Sequence, residues 1–405
     1  GPRAAAGPAM PAPRFSASLS TLKDPQAALS AALEQLLSNL QGRRPDLALA
    51  FVTHHHGAAI EGLGPELARA TGAPLVLGCT TEAAIGPGRE AEGETGLALF
   101  AGSLPGTELR PFRLDVDQDD EGEWLLSGEP VVLDPRRAGV LMLGDPHAFP
   151  AEAALKRLNQ DFPGTPVAGG MASGGRGPGQ DHLFDQRGLA DHAALGVVIE
   201  GDVALRTRVS QGCRPIGRPF VVTKVEENFI LELGGKPAME ALLAMLQELD
   251  VAERNLFGNA PFIGLAVDVT KSRFGRGDLL ARPLLGVDPK RGAIAVGDAP
   301  RRGMTIQFQA RDADSASEDL EALLGGLASP SAPAERGALL FTCNGRGLRL
   351  FGRRNHDIGA LERALGPGVA AAGFFANGEF GPVGPTNCMH GYTASVALLE
   401  ARQEP

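Results

Sequence analysis

An α/β protein of mixed β-sheets with packed helices is predicted by three features of this 405-residue sequence. Short apolar runs alternate with amphipathic helical stretches, one strand-helix-strand layout recurs, and a β-rich segment precedes its last copy. With 43% hydrophobic residues the chain can bury a sizeable core, and its length favours two or three domains. The 54 Gly and 31 Pro keep no fixed period and punctuate apolar runs, which excludes collagen-like and low-complexity readings.

The first helix is expected from Asp24 to about Gln41. Asp24 can cap it, Pro25 suits its first turn, and Leu29, Leu33, Leu36, Leu37 and Leu40 form one stripe. Leu47 to Thr53 then reads as a strand meeting the loop His54-His55-His56-Gly57, and a helical stretch leads to a second strand, Leu75 to Cys79. The layout recurs at Gly139 to Leu143, a helix from about Ala151 to Phe162, and Val167 to Gly170. It recurs again at Ala338 to Thr342, a helix from about Asp357 to Leu365, and Val369 to Phe375. Such weak self-similarity argues for related α/β units rather than a solenoid.

Between the second and third copies, Phe220 to Val225 and Phe229 to Leu233 read as a hairpin, and 284–287, 293–296 and 305–310 as strands. Helices are expected near 237–249 and 315–324, the latter with a Ser315 to Glu318 capping box. Leu327 to Arg336 reads as an exposed loop. The domain boundary is placed near Gly201 to Gln211, giving domains of 24–205 and 206–400. Residues 1–13 read as a disordered tail opening on a protease-cleavage scar, with Met10 a candidate natural start.

A formal charge of -10 and a pI near 5.4 give a field that repels phosphate backbones, so nucleic acid is not an expected partner. No run of about eighteen apolar residues appears, so no membrane span is expected and the cytoplasm is the expected location. Cys79, Cys213, Cys343 and Cys388 are scattered without zinc-like spacing and read as reduced thiols.

At this stage the segments from Pro74 (PLVLGCTTEAAIGPGREAEGETGLALFAGSLPG), Gln211 (QGCRPIGRPFVVTKVEENFILELGGKPAMEAL) and Gly373 (GFFANGEFGPVGPTNCMHGYTASVAL) resemble the FIST N-terminal and C-terminal domains in tandem. The resemblance implies a sensory module for small ligands such as amino acids, often fused to signalling domains. A bacterial subset binds haem and senses nitric oxide. No such output segment is read here, so a separate signalling protein is the expected partner. The family motifs fall on Gly78-Cys79-Thr80-Thr81, Gly212-Cys213-Arg214-Pro215, Cys343-Asn344-Gly345-Arg346, and Gly378, Glu379, Gly381 and Pro382. The chain departs from the pattern at Glu82-Ala83-Ala84 and at Ala376.

The candidate ligand residues cluster at strand tips: Cys79, Thr80, Thr81 and Glu82; Ser173; Cys343, Asn344 and Arg346; and Asn377 and Glu379. A shared polar pocket is expected where strands end at Cys79, Gly170, Thr342 and Phe375. Cys79 and Cys343 read first as packing residues, and Glu82 and Glu379 would need proximity to act as a pair. Arg214 is a recognition fork for a carboxylate, either the ligand's or that of Glu379. Asn387 and His390 join the list from the closing segment. No cofactor is expected; the haem alternative rests on His390, or on His54 and His56, which would share a face if the strand ran on through them. The Gly169 to Gly179 run reads as a lid over a pocket rather than a phosphate loop. A cysteine- or carboxylate-dependent enzyme is the remaining reading, without a nucleophile elbow to support it.

Overall fold

The computed structural model describes residues 11–119, 121, 124–128, 131–268, 271 and 273–403; most of the expected N-terminal tail lies outside them. Three units of one design make up most of the chain. The first runs through strand Arg14–Ser20, helix Pro25–Leu40, strand Leu47–Thr53, helix Ile60–Thr71, strand Leu75–Thr81 and, after a hairpin, strand Leu97–Ser103. In its sheet the order is 14–20, 97–103, 47–53, 75–81, and only the last pair is parallel. The second unit repeats this with Thr107–Gln118, Ala194–Gly201, Ala138–Gly144 and Val167–Met171, and the third with Val203–Ser210, Ala394–Ala401, Gly337–Cys343 and Ala370–Ala376. The α/β class, the mixed sheets and the related strand-helix-strand units are those the sequence predicts.

What the sequence does not predict is where the hairpins go. The hairpin Ala84–Gly86/Arg89–Ala91 leaves its own sheet and pairs with 370–376 in the third. The hairpin Leu183–Asp185/Gly188–Ala190 follows the second unit and pairs with 75–81 in the first. The hairpin Glu379–Val383/Thr386–His390 follows the third and pairs with 167–171 in the second. Each unit completes another's sheet, and the exchange closes on itself.

The inner faces of the three sheets share one core, in which Phe15, Phe51 and Phe100 meet Leu141, Leu195, Phe341 and Phe374. Helices cover the outer faces: 25–40 and 60–71 on the first sheet, 151–161 on the second, 313–325 and 356–365 on the third. Strands 47–53, 75–81, 138–144 and 370–376 are buried along their whole length, as central strands covered on both sides must be. The parallel strands approach their partners closely. A Cβ on Gly169 would stand 1.8 Å from Met142 O and one on Gly373 1.8 Å from Leu340 O, so both positions exclude any side chain.

The β-rich segment is inserted in the third unit, between strand 203–210 and helix 313–325. Its antiparallel sheet carries Phe220–Glu226, Phe229–Leu233, Pro261–Ala266, Leu279–Asp288, Ala293–Val296 and Thr305–Arg311, with helices Ala238–Glu248 and Val251–Asn259 over a core of its own. Helix Val251–Asn259 is not predicted above; its cap is Asp250, which accepts from Glu253 N at 2.8 Å. The capping box predicted at Ser315 gives way to Asp312, whose carboxylate accepts from Ser315 N at 2.7 Å and starts Ala313–Gly325 two residues earlier. Leu327, predicted in an exposed loop, is buried against helix 313–325.

Cutting the chain between Gly201 and Val203 removes hairpin 379–390 from the second sheet and hairpin 84–91 from the third. Fragments 11–202 and 203–403 made separately are expected to lack cooperative thermal melts and to regain one when coexpressed. Two fragments that each melt cooperatively and do not associate would contradict the exchange as a folding requirement.

Candidate functional site

The tips of the parallel strands meet, but they close on each other. Thr81 Oγ1 and Ser173 Oγ both donate to the carbonyl of Phe375, the former at 3.0 Å. Glu82 N donates to Ser173 Oγ at 3.0 Å, Ser173 N to Thr80 O at 3.1 Å, and Met171 N to Gly378 O at 2.8 Å. The predicted pocket is therefore closed where Thr81 and Ser173 meet Phe375: the hydroxyls that would line it there satisfy the backbone of the hand-overs.

Several candidates are spent in the same structural work. Cys79 lies in the central core, where burial pushes its thiol up. Thr80 Oγ1 accepts from His182 N at 2.9 Å. The Gly169 to Gly179 run serves the protein's own carboxylate: Gly175 N donates to Asp181 at 2.9 Å, and Asp181 holds His54 Nε2 at 3.2 Å. That bond with Asp181 raises the pKa of His54. Glu82 is partly exposed and pairs with Arg349 of the third unit at 2.7 Å. Asn387 is saturated by Val167 N, Thr165 O and Asn159, and ties the handed-over hairpin to the second unit. Arg214 does not meet Glu379; it stands on strand Cys213–Pro215 beside Ala310, and Glu379 instead accepts from Thr393 Oγ1 at 2.7 Å.

The cleft that does open lies beyond the ends of 337–343 and 370–376, facing the inserted segment. It measures about 380 Å³ and is lined by Cys343, Asn344, Asn377, His390 and Tyr392, with Arg282 from the insert on its far side. Of the sequence candidates, the structure brings these four together: Cys343, Asn344, Asn377 and His390. Arg346 and Glu379, both fully buried, lie behind them.

Buried polar atoms without partners concentrate here, among them Asn344 Oδ1, His390 Nδ1, Glu379 Oε1, Arg311 Nε and Arg346 Nη1. Burial of a polar group without a hydrogen bond costs about 1–3 kcal/mol, so such a concentration is unusual in a core that has no other use for it. Burial pushes Glu379 up to about 8, and burial together with the neighbouring Glu379 pushes the Cys343 thiol up to about 11. Burial pushes His390 down to about 3. Its neutral ring donates Nε2–H to Gly381 O at 3.0 Å and leaves Nδ1 as an acceptor. Arg311, missed in the sequence, donates to Tyr392 O at 3.1 Å and lies 5.4 Å above the Tyr392 ring. Burial and the nearby Arg346 both lower its pKa.

Arg346 is held by a bidentate pair with Asp357, Nε to Oδ2 at 2.6 Å and Nη2 to Oδ1 at 2.9 Å. Burial disfavours the Asp357 charge, but Arg346, His356 and Thr342 outweigh it and hold the carboxyl well below its usual range. Glu90, on the hairpin handed over from the first unit, accepts from Asp357 N at 3.0 Å and Ile358 N at 2.9 Å, the first turn of helix His356–Leu365. Burial and the Asp357 charge push Glu90 up to about 7. A row Ser317–His356–Asp357 also forms, each contact 2.7 Å. Ser317 sits inside helix 313–325 with its hydroxyl against Ala313 O, and helix-interior amides are already consumed, so this row tethers two helices.

For a haem iron the histidines differ. His54 is taken by Asp181 and His390 by Gly381, while both nitrogens of His56 lack partners. His54 and His56 do not continue the strand; they lie in a 3-10 turn, His54–Ala59, so alternation does not pair them. A hydrogen bond through one ring nitrogen leaves the other for a metal, so these contacts do not choose among the three.

Residues 46–236 match the FIST N domain and residues 238–382 the FIST C domain. The chain belongs to the FIST family. FIST domains are sensory-type domains. An uncharacterized protein of Mycobacterium tuberculosis (strain ATCC 25618 / H37Rv) is 38% identical over 388 residues, covering 95% of this chain and 99% of the relative. Another, from Mycobacterium bovis (strain ATCC BAA-935 / AF2122/97), is 36% identical over 386 residues, covering 95% and 98%. The crystal structure of the cyanuric acid hydrolase from A. caulinodans aligns over 97% of this chain and 100% of that one at 10% identity, with a TM-score of 0.33, too low to bear on fold or function. Residues 343–346 lie within the FIST C match; Cys343, Asn344 and Gly345 line the cleft, and Arg346 is buried. No helix among the described residues is long and apolar enough to cross a membrane.

Replacing Arg346 by Met strands the Asp357 charge and is expected to cost about 3–5 kcal/mol in chemical denaturation. A loss below about 1 kcal/mol would show the pair to be dispensable. Glu379 gives a pH signature. Its folded pKa near 8 exceeds the ordinary 4.5, so its contribution is fully present below pH 4.5 and lost as pH rises toward 8. Glu379→Gln removes this dependence. Its stability relative to wild type should rise between those limits by up to about 1.4 kcal/mol per pH unit, and parallel profiles would contradict the burial of a protonated carboxyl.

Proposed function

We propose that this FIST protein is a sensor whose ligand is a small polar molecule carrying an oxyanion, amino-acid-like in its combination of charged head and hydrogen-bonding groups, bound in the Cys343–Tyr392 cleft. The observation that carries the reading is that Asn344 Oδ1 and His390 Nδ1, on residues that line the cleft, are buried without partners, as are Glu379 Oε1, Arg311 Nε and Arg346 Nη1 on residues behind the lining. Arg311, which stands behind the cleft residue Tyr392 and has no carboxylate partner among the described residues, unlike Arg346, is the charge we assign to the ligand's anionic head. Glu379, neutral near pH 7, supplies a proton donor, and Asn344 and His390 supply acceptors for an amine or hydroxyl. A site built to satisfy its own buried groups discriminates strongly against molecules lacking the matching ones.

Isothermal titration of the full chain with a panel of amino acids, 2-oxo acids and their amides tests this. At least one carboxylate should bind with one-to-one stoichiometry, and its amide about tenfold more weakly or worse. Gly391 lines the cleft with open space beside it, so Gly391→Phe should abolish binding with the melting temperature unchanged. Arg311→Gln should weaken it about tenfold or more. No binding across the panel, or binding indifferent to both substitutions, would sink the assignment.

A further inference from the structure

The loop after the central strand is built alike in the first and third units. Thr53 is followed by His54-His55-His56-Gly57, and Cys343 by Asn344-Gly345-Arg346-Gly347. Gly57 (φ 53°, ψ -133°) and Gly347 (φ 58°, ψ -136°) share one left-handed conformation, so His56 and Arg346 hold equivalent places, 6% and 0% exposed. The preceding helices correspond as well. Asp24 caps the first through Ala27 N and Asp312 caps the other through Ser315 N, which matches Leu29 with Ser317. The following helices begin at Ile60 and His356.

The two units differ in what occupies the space between these residues. In the third, residues 348–355 separate Gly347 from the helix and bring in Phe351, whose ring stacks on His356 (centroids 3.4 Å, planes 8° apart) and lies 5.2 Å from the Arg346 guanidinium. In the first, only Ala58 and Ala59 intervene between Gly57 and Ile60. The shorter connection leaves a cleft of about 560 Å³ lined by Leu29, Val52, His56, Ile60, Leu63 and Leu97. Arg346 has Asp357 at the second position of its helix; His56 has Glu61 there, exposed, and neither of its ring nitrogens has a partner.

We propose that the His56 cleft is a second ligand site, taking an uncharged molecule whose ring occupies the place Phe351 fills in the third unit and whose hydroxyl or carbonyl oxygen bonds the His56 imidazole. Burial and the neighbouring His55 lower the pKa of His56, so the ring stays neutral and offers one donor and one acceptor, the complement of a hydroxyl. Gln26, Glu61 and Glu66 at the opening carry no positive charge and disfavour an anion, in contrast with the Cys343–Tyr392 cleft, which Arg282 lines. A volume of this size is that of a small-molecule pocket rather than a packing defect.

The test uses the full chain labelled with ¹⁵N, following the His56 ring nitrogens by long-range ¹⁵N–¹H NMR during titration with p-cresol or toluene. p-Cresol should shift them saturably and bind about fivefold or more tightly than toluene, the difference one hydrogen bond makes. His56→Leu should erase that preference without lowering the melting temperature, because it removes an unsatisfied buried polar group. Gly62→Trp, on the rim where an added Cβ meets no atom within 4 Å, should block both ligands. Equal affinity for the two probes, no saturable shift at His56, or binding intact in Gly62→Trp would overturn the proposal. Haemin giving a Soret band that His56→Leu removes would overturn it too, by assigning the cleft to a metalloporphyrin.

Discussion

The carbonyl of Phe375 is the point on which the three units depend. It accepts from Thr81 of the first unit and Ser173 of the second, while Phe375 N donates to Ala83 O at 2.9 Å. All three parallel strands therefore end at one place, and from there each chain crosses into the next sheet. A parallel strand cannot turn back on itself through a tight hairpin, so it has to end in a crossover or leave its sheet. Here it leaves, and the polar backbone exposed by leaving is satisfied by the other two units. Because the hydroxyls of Thr81 and Ser173 are consumed in that satisfaction, residues with the chemistry of a ligand site become structural ones.

The same closure explains how much of the molecule could be read in advance. Strands 47–53, 75–81, 337–343 and 370–376 were legible because fully buried strands are continuous apolar runs bounded by turn residues. The first helix was legible through Asp24, Pro25 and its leucine stripe. Hairpins 84–91, 183–190 and 379–390 carry ordinary turn residues, and nothing in their composition says which sheet they join, since backbone pairing is indifferent to the source of the strand. For the same reason the strand tips looked like a shared pocket: proximity was foreseeable, whereas closure depends on hydroxyl directions. Cys343, Asn344, Asn377 and His390 were found because they flank strand ends. Arg311 was not, because it ends a strand of the insert and comes beside the cleft residue Tyr392 only through the antiparallel pairing of 305–311 with 213–215 and 261–266. Asp357 was legible only as a helix start, because its pairing with Arg346 depends on how the intervening loop folds.

With the second strands sealed at the centre, the open chemistry moves to the loops after the central strands. In α/β proteins ligands bind beyond the carboxyl ends of parallel strands, where loops diverge and helix starts point inward. The loop after the central strand of each parallel pair meets that condition, and it has taken a different course in the first and third units. The third spends a buried arginine, an aspartate and an aromatic ring on filling its loop, and the coupling of Glu90 to the start of helix 356–365 ties that filling to the first unit's hairpin. The first places a lone imidazole at the same position under a connection too short to cover it. Repetition with divergence makes the comparison informative: one fold position, solved internally in one copy, shows in the other copy the shape of what is left to be bound.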